Sequence, residues 1–122
     1  MSIKIKRIYE DYEPFDGWRV LVDRIWPRGV SKEEARLDDW RKELSPSTKL
    51  RVWFGHKPER FDEFAKRYRA ELDANPDAQA TITQLLAKSK GNQVTLLYSA
   101  RDTDHNQAVV LKNYMEDKSS KK

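Results

Sequence analysis

Two strand-like runs limit what this chain can fold into. Val20-Leu21-Val22, the center of Trp18 to Asp23, is continuously apolar, which marks a strand covered on both faces. Val94-Thr95-Leu96-Leu97-Tyr98-Ser99 is the clearest strand of the chain. Covering them takes helices, and the long stretch between them carries helical signals. Leu37, Trp40 and Leu44 fall at i, i+3 and i+7, which predicts a helix ending at Ser45-Pro46-Ser47. Ser47 can cap the next helix, whose apolar face is Leu50, Trp53 and Phe54 and whose stop is Gly55. Pro58 suits a first helical turn, and Phe61, Phe64, Ala65, Tyr68 and Leu72 keep a helical period. Asn75 followed by Pro76 predicts a further start, with Ile82, Leu85 and Leu86 facing inward and Gly91 at the end. A final helix carries Ala108, Leu111, Tyr114 and Met115.

A first strand is expected where Ile3 and Ile5 alternate with lysines and Ile8 follows. About nine residues join it to the second strand, short for a parallel crossover, so the relative direction of these two stays open. The pattern predicts one layered α/β domain over residues 1–117, with three strands and about five helices. Residues 118–122, Lys-Ser-Ser-Lys-Lys, are expected to be a disordered basic tail.

Length and composition remove several function classes. The 122 residues fit a single domain. Cysteine is absent, which excludes disulfides, thiol nucleophiles and thiolate zinc sites. His56 and His105 are the sole histidines, so no metal site is expected. No GxGxxG or GxxxxGK[ST] loop and no GxSxG elbow occurs, and no cofactor is implied. The N-terminus alternates apolar and basic residues, unlike a signal peptide, and runs such as Ala108–Leu111 are too short to span a bilayer. A cytoplasmic location without membrane partners is the expectation. Charged residues make up 36% of the chain with a net charge of only +4, both signs interspersed. A pI near 9.3 allows weak contact with nucleic acid without forming the footprint of a dedicated binder. Four tryptophans, at 18, 26, 40 and 53, could stack on bases, but Trp40 and Trp53 lie on expected apolar helix faces.

Three polar constellations are candidates for chemistry. Asp23-Arg24-Ile25-Trp26-Pro27-Arg28-Gly29 follows the second strand, and ligands of open α/β sheets bind beyond strand carboxyl ends. Arg24 and Arg28 offer planar donor forks to a phosphate or carboxylate. The plainer alternative has Asp23 and Arg24 in structural ion pairs and Trp26 in the core. The turn Ser99 to Asn106 follows the last strand and opens a helix, with Asp102, His105 and Asn106 as candidates and Thr103 or Asp104 as the expected cap. Ser47 and Arg51, one helical turn apart, form the third group with His56, a residue type suited to acid or base work. Ser47 alone reads as a cap, and a lone His beside a helix end is usually structural or exposed.

The turn Val22 to Gly29 resembles the signature of the YeaO-like proteins, a bacterial family of unknown function. Further similarity runs through Trp40 to Leu44, Pro46-Ser47, Leu50-Arg51, Trp53-Phe54-Gly55-His56, and Phe64 to Leu72. It ends with Thr95-Leu96-Leu97-Tyr98, Asp102, His105-Asn106, Ala108 and Leu111. The resemblance spans nearly the whole chain and implies a small cytosolic α/β fold with a mainly parallel sheet. It supplies no substrate, cofactor or reaction.

The residues themselves lead to a small-ligand site for an anion, including a phosphate-bearing one. Arg24, Arg28 and Arg51 are its expected donors, with Ser47, Ser99, Asp102, His105 and Asn106 completing it. For an enzyme, His56 or Asp23 is the first choice for proton transfer. The rivals are a nucleic-acid-associated protein and a protein-interaction module anchored on Trp18 and Trp26. Geometry separates these readings: the arginines either line one pocket or pair with carboxylates on separate faces.

Overall fold

Every strand pairing is parallel, which answers the question of direction left by the short first link. A computed structural model describes Ser2 to Ser120. Its strands are β1 (Ser2–Arg7), β2 (Trp18–Leu21), β3 (Asp39–Trp40) and β4 (Gln93–Tyr98), in the spatial order β1-β4-β2-β3. β4 lies between β1 and β2, so those two strands never pair. Their link instead returns along the sheet, and its short 3-10 turn, Pro14–Asp16, packs on β4.

Among the described residues the sheet has four strands where three were expected. β3 is two residues long and pairs Asp39 with Val20 and Trp40 with Leu21. The Leu37-Trp40-Leu44 spacing imitates a helix, but these residues do not share a face. Leu37 and Trp40 pack with Leu21 and Leu97, whereas Leu44 belongs to the main core on the other side. A strand followed by a 3-10 turn, Lys42–Leu44, occupies that segment.

Among the described residues five α-helices complete the fold: α1 (Lys32–Ala35), α2 (Thr48–Phe54), α3 (Phe61–Asp73), α4 (Pro76–Ser89) and α5 (Gln107–Ser120). Local chemistry sets their ends. Ser47 accepts from the Leu50 amide at the start of α2, and Gly55 closes it in the left-handed conformation at φ 55°. Asn75 caps α4 through the amides of Asp77 and Ala78, with Pro76 in its first turn. Pro58 opens a 3-10 turn that leads into α3. α5 continues through Ser120, so it takes in the first three residues expected in the tail, and Lys121 and Lys122 lie outside the described residues. Among the described residues no helix is long and apolar enough to cross a membrane.

The two faces of the sheet are covered differently. Ile3, Val20, Val94, Leu96 and Tyr98 meet α2 to α5 in the main core, where Phe64, Tyr68, Ile82, Leu111 and Met115 are fully or nearly fully buried. On the opposite face Ile8, Leu21, Ala35 and Leu97 form a smaller apolar patch. Beside it lies a buried ionic cluster. Asp16, with no exposed surface, accepts from Arg19 at 2.6 Å, from Lys6 at 3.1 and 3.2 Å, and from the Glu13 amide at 3.1 Å. Lys4 adds an ion pair at 3.2 Å. The alternation of lysine with isoleucine along β1 therefore separates an apolar face from an ionic buried one.

Candidate functional site

A crevice opens where connections from neighboring parallel strands leave toward opposite faces. β2 and β4 are such a pair. The chain leaving β2 passes α1, whose Ala35 packs on the smaller face, while the chain leaving β4 enters α5 in the main core. The register Leu21↔Leu97, extended by the Val22 amide bonding the Leu97 carbonyl at 3.0 Å, sets Asp23 beside Ser99. One Asp23 oxygen accepts from the Ser99 amide at 3.0 Å and its hydroxyl at 2.6 Å. The other accepts from the side chain of Gln107 at the start of α5. Burial raises the Asp23 carboxyl above its ordinary value of 3.8, while these three hydrogen bonds and the charge of Arg51 oppose the rise.

Above this junction lies a cavity of about 420 Å³. It brings together residues from all three constellations: Asp23, Arg24 and Arg28 from the first, Ser99 and Asn106 from the second, Arg51 and His56 from the third. Arg24, Arg28 and Arg51 have no carboxylate within ion-pair distance among the described residues. Arg24 donates one terminal nitrogen to the Pro46 carbonyl at 3.3 Å. Its buried Nε is without an acceptor and is the one such side-chain atom among the described residues. Pro27 is buried while Arg28 is exposed, and the Tyr9 hydroxyl ties the Arg28 carbonyl at 2.9 Å. These contacts fix the turn and leave the Arg28 side chain at the cavity.

Three expected site residues are employed elsewhere. The Ser47 hydroxyl donates to Glu71 at 2.6 Å and accepts from Leu50, so it faces a second, smaller hollow. Asp102 accepts from the amides of Asp104 and His105 at 2.9 Å each and meets the His105 ring at 2.9 Å. Those bonds hold the Asp102 carboxyl below its ordinary value, with the Asp104 amide as the largest cause. His105 sits edge-on to Phe61, its ring centroid 5.1 Å away, and neither it nor Asp102 lines the cavity.

The cap of α5 also differs from expectation. Because the helix begins at Gln107, Asn106 is the residue that caps it, accepting from the Val109 amide at 3.1 Å. Asn106 is thus structural while it lines the cavity. Trp26 donates to the Val30 carbonyl at 2.7 Å and meets Trp40 edge-on at 5.3 Å, so it packs the small core and walls the cavity together.

Sequence reading missed Gln107, the partner that completes the Asp23 shell, and the apolar lining Ile25, Val52, Phe54 and Phe64. A polar residue in the first turn of a helix is ordinary, and Phe54 and Phe64 carry the signal of core residues. Only the solvent exposure of Ile25 and Val52, invisible in a string of letters, sets them apart.

Chemically, the arrangement offers three cationic donors on one concave surface and a carboxylate whose oxygens are already engaged. Asp23 is bonded to Ser99 and Gln107 and not to His56, so these two do not form a hydrogen-bonded proton relay. Among the described residues no group of His, Asp and Glu could hold a metal ion.

Comparison with known proteins gives relatives without an assigned activity. The chain is 40% identical over 115 residues to the uncharacterized protein YeaO of Escherichia coli K12, covering 94% of this chain and 97% of that one. It is 43% identical over 109 residues to uncharacterized proteins of Mycobacterium tuberculosis and Mycobacterium bovis, covering 89% of each chain. No solved structure matches. A family model described as the inactive DUF488-N3 subclade matches residues 2–122, and the chain belongs to that family.

Proposed function

We propose that this protein binds a small anionic ligand in the cavity beyond β2 and β4. The observation that carries the proposal is the convergence of Arg24, Arg28 and Arg51, free of carboxylate ion pairs among the described residues, on one concave surface. Guanidinium groups present planar donor forks that match a phosphate or carboxylate, and charge-assisted hydrogen bonds are the strong ones. The Arg24 guanidinium is not saturated by the protein: one terminal nitrogen meets the Pro46 carbonyl and its Nε is without an acceptor among the described residues. Binding without turnover accords with the family's description as inactive and with an Asp23 engaged by hydrogen-bond donors.

Two substitutions at the cavity have opposite expected effects. Arg51→Ala removes a donor worth about 1.5–3 kcal/mol and weakens phosphate binding roughly tenfold to hundredfold. Asp23→Asn keeps the shape, retains its bonds if the Gln107 amide turns over, and removes the one negative charge at the site. It should tighten phosphate binding by roughly severalfold. Isothermal titration with inorganic phosphate measures both. No heat of binding for the unmodified protein, or indifference to both substitutions, would refute the site.

A further inference from the structure

The cavity has two features that narrow its ligand class. The first is its charge: three arginines face a single carboxylate, so these four groups sum to two positive charges, which suits a dianion over a carboxylate. Asp23 cannot serve as a counter-ion for more than one of them, and its oxygens already accept three hydrogen bonds. A phosphomonoester, with a second pKa near 6, carries close to two negative charges at neutral pH, whereas a carboxylate carries one.

The second feature is the lip. Five large hydrophobic residues are exposed among the described residues, and three of them, Tyr9, Ile25 and Val52, line this one cavity. Single exposed apolar residues are ordinary on a protein surface. Here three, from the β1–β2 link, the turn after β2 and α2, converge on one opening, with Ile25 62% and Val52 73% exposed. Below them the wall is apolar as well, formed by Trp26, Phe54 and Phe64, the two phenyl rings stacked 4.3 Å apart. The volume of about 420 Å³ falls within the range of sites for organic ligands and far exceeds what a bare oxyanion fills.

We infer that the ligand is a phosphomonoester carrying a compact apolar body, its phosphate on Arg24 and Arg51 and its body against Ile25 and Val52. This rests on the anion-binding reading above and names the ligand class for that site. The apolar lip adds affinity by removing Ile25, Val52 and the ligand body from water together.

Titration of the full-length protein with inorganic phosphate, phenyl phosphate and benzoate tests the inference. Phenyl phosphate is expected to bind roughly tenfold tighter than inorganic phosphate, because its ring is buried at the lip. It should also bind roughly tenfold tighter than benzoate, which brings the ring with one charge fewer. Val52→Ser and Ile25→Ser, both at exposed positions, should each lower phenyl phosphate affinity severalfold and leave inorganic phosphate unchanged. Arg51-dependent phosphate binding with no gain for phenyl phosphate, or a gain untouched by both serine variants, overturns this inference and leaves the anion site standing. Equal affinity for benzoate overturns the assignment of a dianion. Absence of binding by all three overturns both readings.

Discussion

Replacing Asp16 with alanine is expected to lower the stability of the fold by about 3–5 kcal/mol, the cost of leaving buried charges without their partner. Asp16 is fully covered, and it is the shared acceptor for Lys6 and Arg19, which are 7% and 1% exposed. Without it, two cations remain beneath the β1–β2 link, too far from water to be solvated and with fewer acceptors. Asn at the same position keeps the shape and one carbonyl acceptor, so Asp16→Asn should cost less than alanine. The same cluster sets an acid limit. Burial alone would raise the Asp16 carboxyl, but the Lys6 ammonium, the Glu13 amide, Lys4 and Arg19 hold it down at about 2. A folded value below the ordinary 3.8 means that this contribution is fully present above 3.8 and is lost as pH falls toward 2. Urea unfolding at pH 7 and pH 3 measures both effects. Unfolding midpoints of Asp16→Ala matching those of the unmodified protein at pH 7 would show that the cluster contributes nothing. An acid-induced loss of stability that persists undiminished in Asp16→Asn would show that another group sets the acid limit.

That cluster also shows where a linear sequence stops informing. β2, β4 and the helices α2 to α5 are legible because their signals are local: strand-like runs, Ser47 and Asn75 at N-caps, Gly55 at a left-handed stop. β3 is not legible, because two residues carry no periodicity and its neighbors Leu37 and Leu44 imitate a helical stripe. Lys6, Asp16 and Arg19 are separated letters whose pairing depends on how the β1–β2 link folds back onto β4. The convergence of Arg24, Arg28 and Arg51 was legible for a topological reason, since segments that leave adjacent parallel strands must share the edge beyond them. Ser47, Asp102 and His105 depart from the expected site because each satisfies a nearby group first. Glu71 takes the Ser47 hydroxyl, and Asp102 closes its own turn around His105. A short polar side chain near a helix start usually serves the backbone beside it.

Gly17→Ala is expected to cost about 3 kcal/mol, from steric overlap and backbone strain together. Gly17 sits at φ 68° and ψ −129°, a conformation open to glycine and strained for alanine. A methyl group there would lie 2.2 Å from the carbonyl oxygen of Gln93, the first residue of β4. That oxygen belongs to the central strand and cannot retreat without breaking its ladder. The start of β2 would have to move instead. The effect should reach the far end of the sheet, because Trp18↔Val94 and Leu21↔Leu97 belong to one register, and that register places Asp23 against Ser99. Loss of stability is therefore expected together with weaker phosphate binding, although Gly17 lies at the opposite edge from the cavity. Gly91→Ala is the matched control: its added methyl meets open space, and it should change stability by less than about 1 kcal/mol. Equal unfolding midpoints for the two alanine variants would mean that the close approach at Gly17 does not set the β2–β4 register. A Gly17→Ala protein that is destabilized yet binds phosphate normally would mean that the Asp23–Ser99 junction is fixed by its own hydrogen bonds.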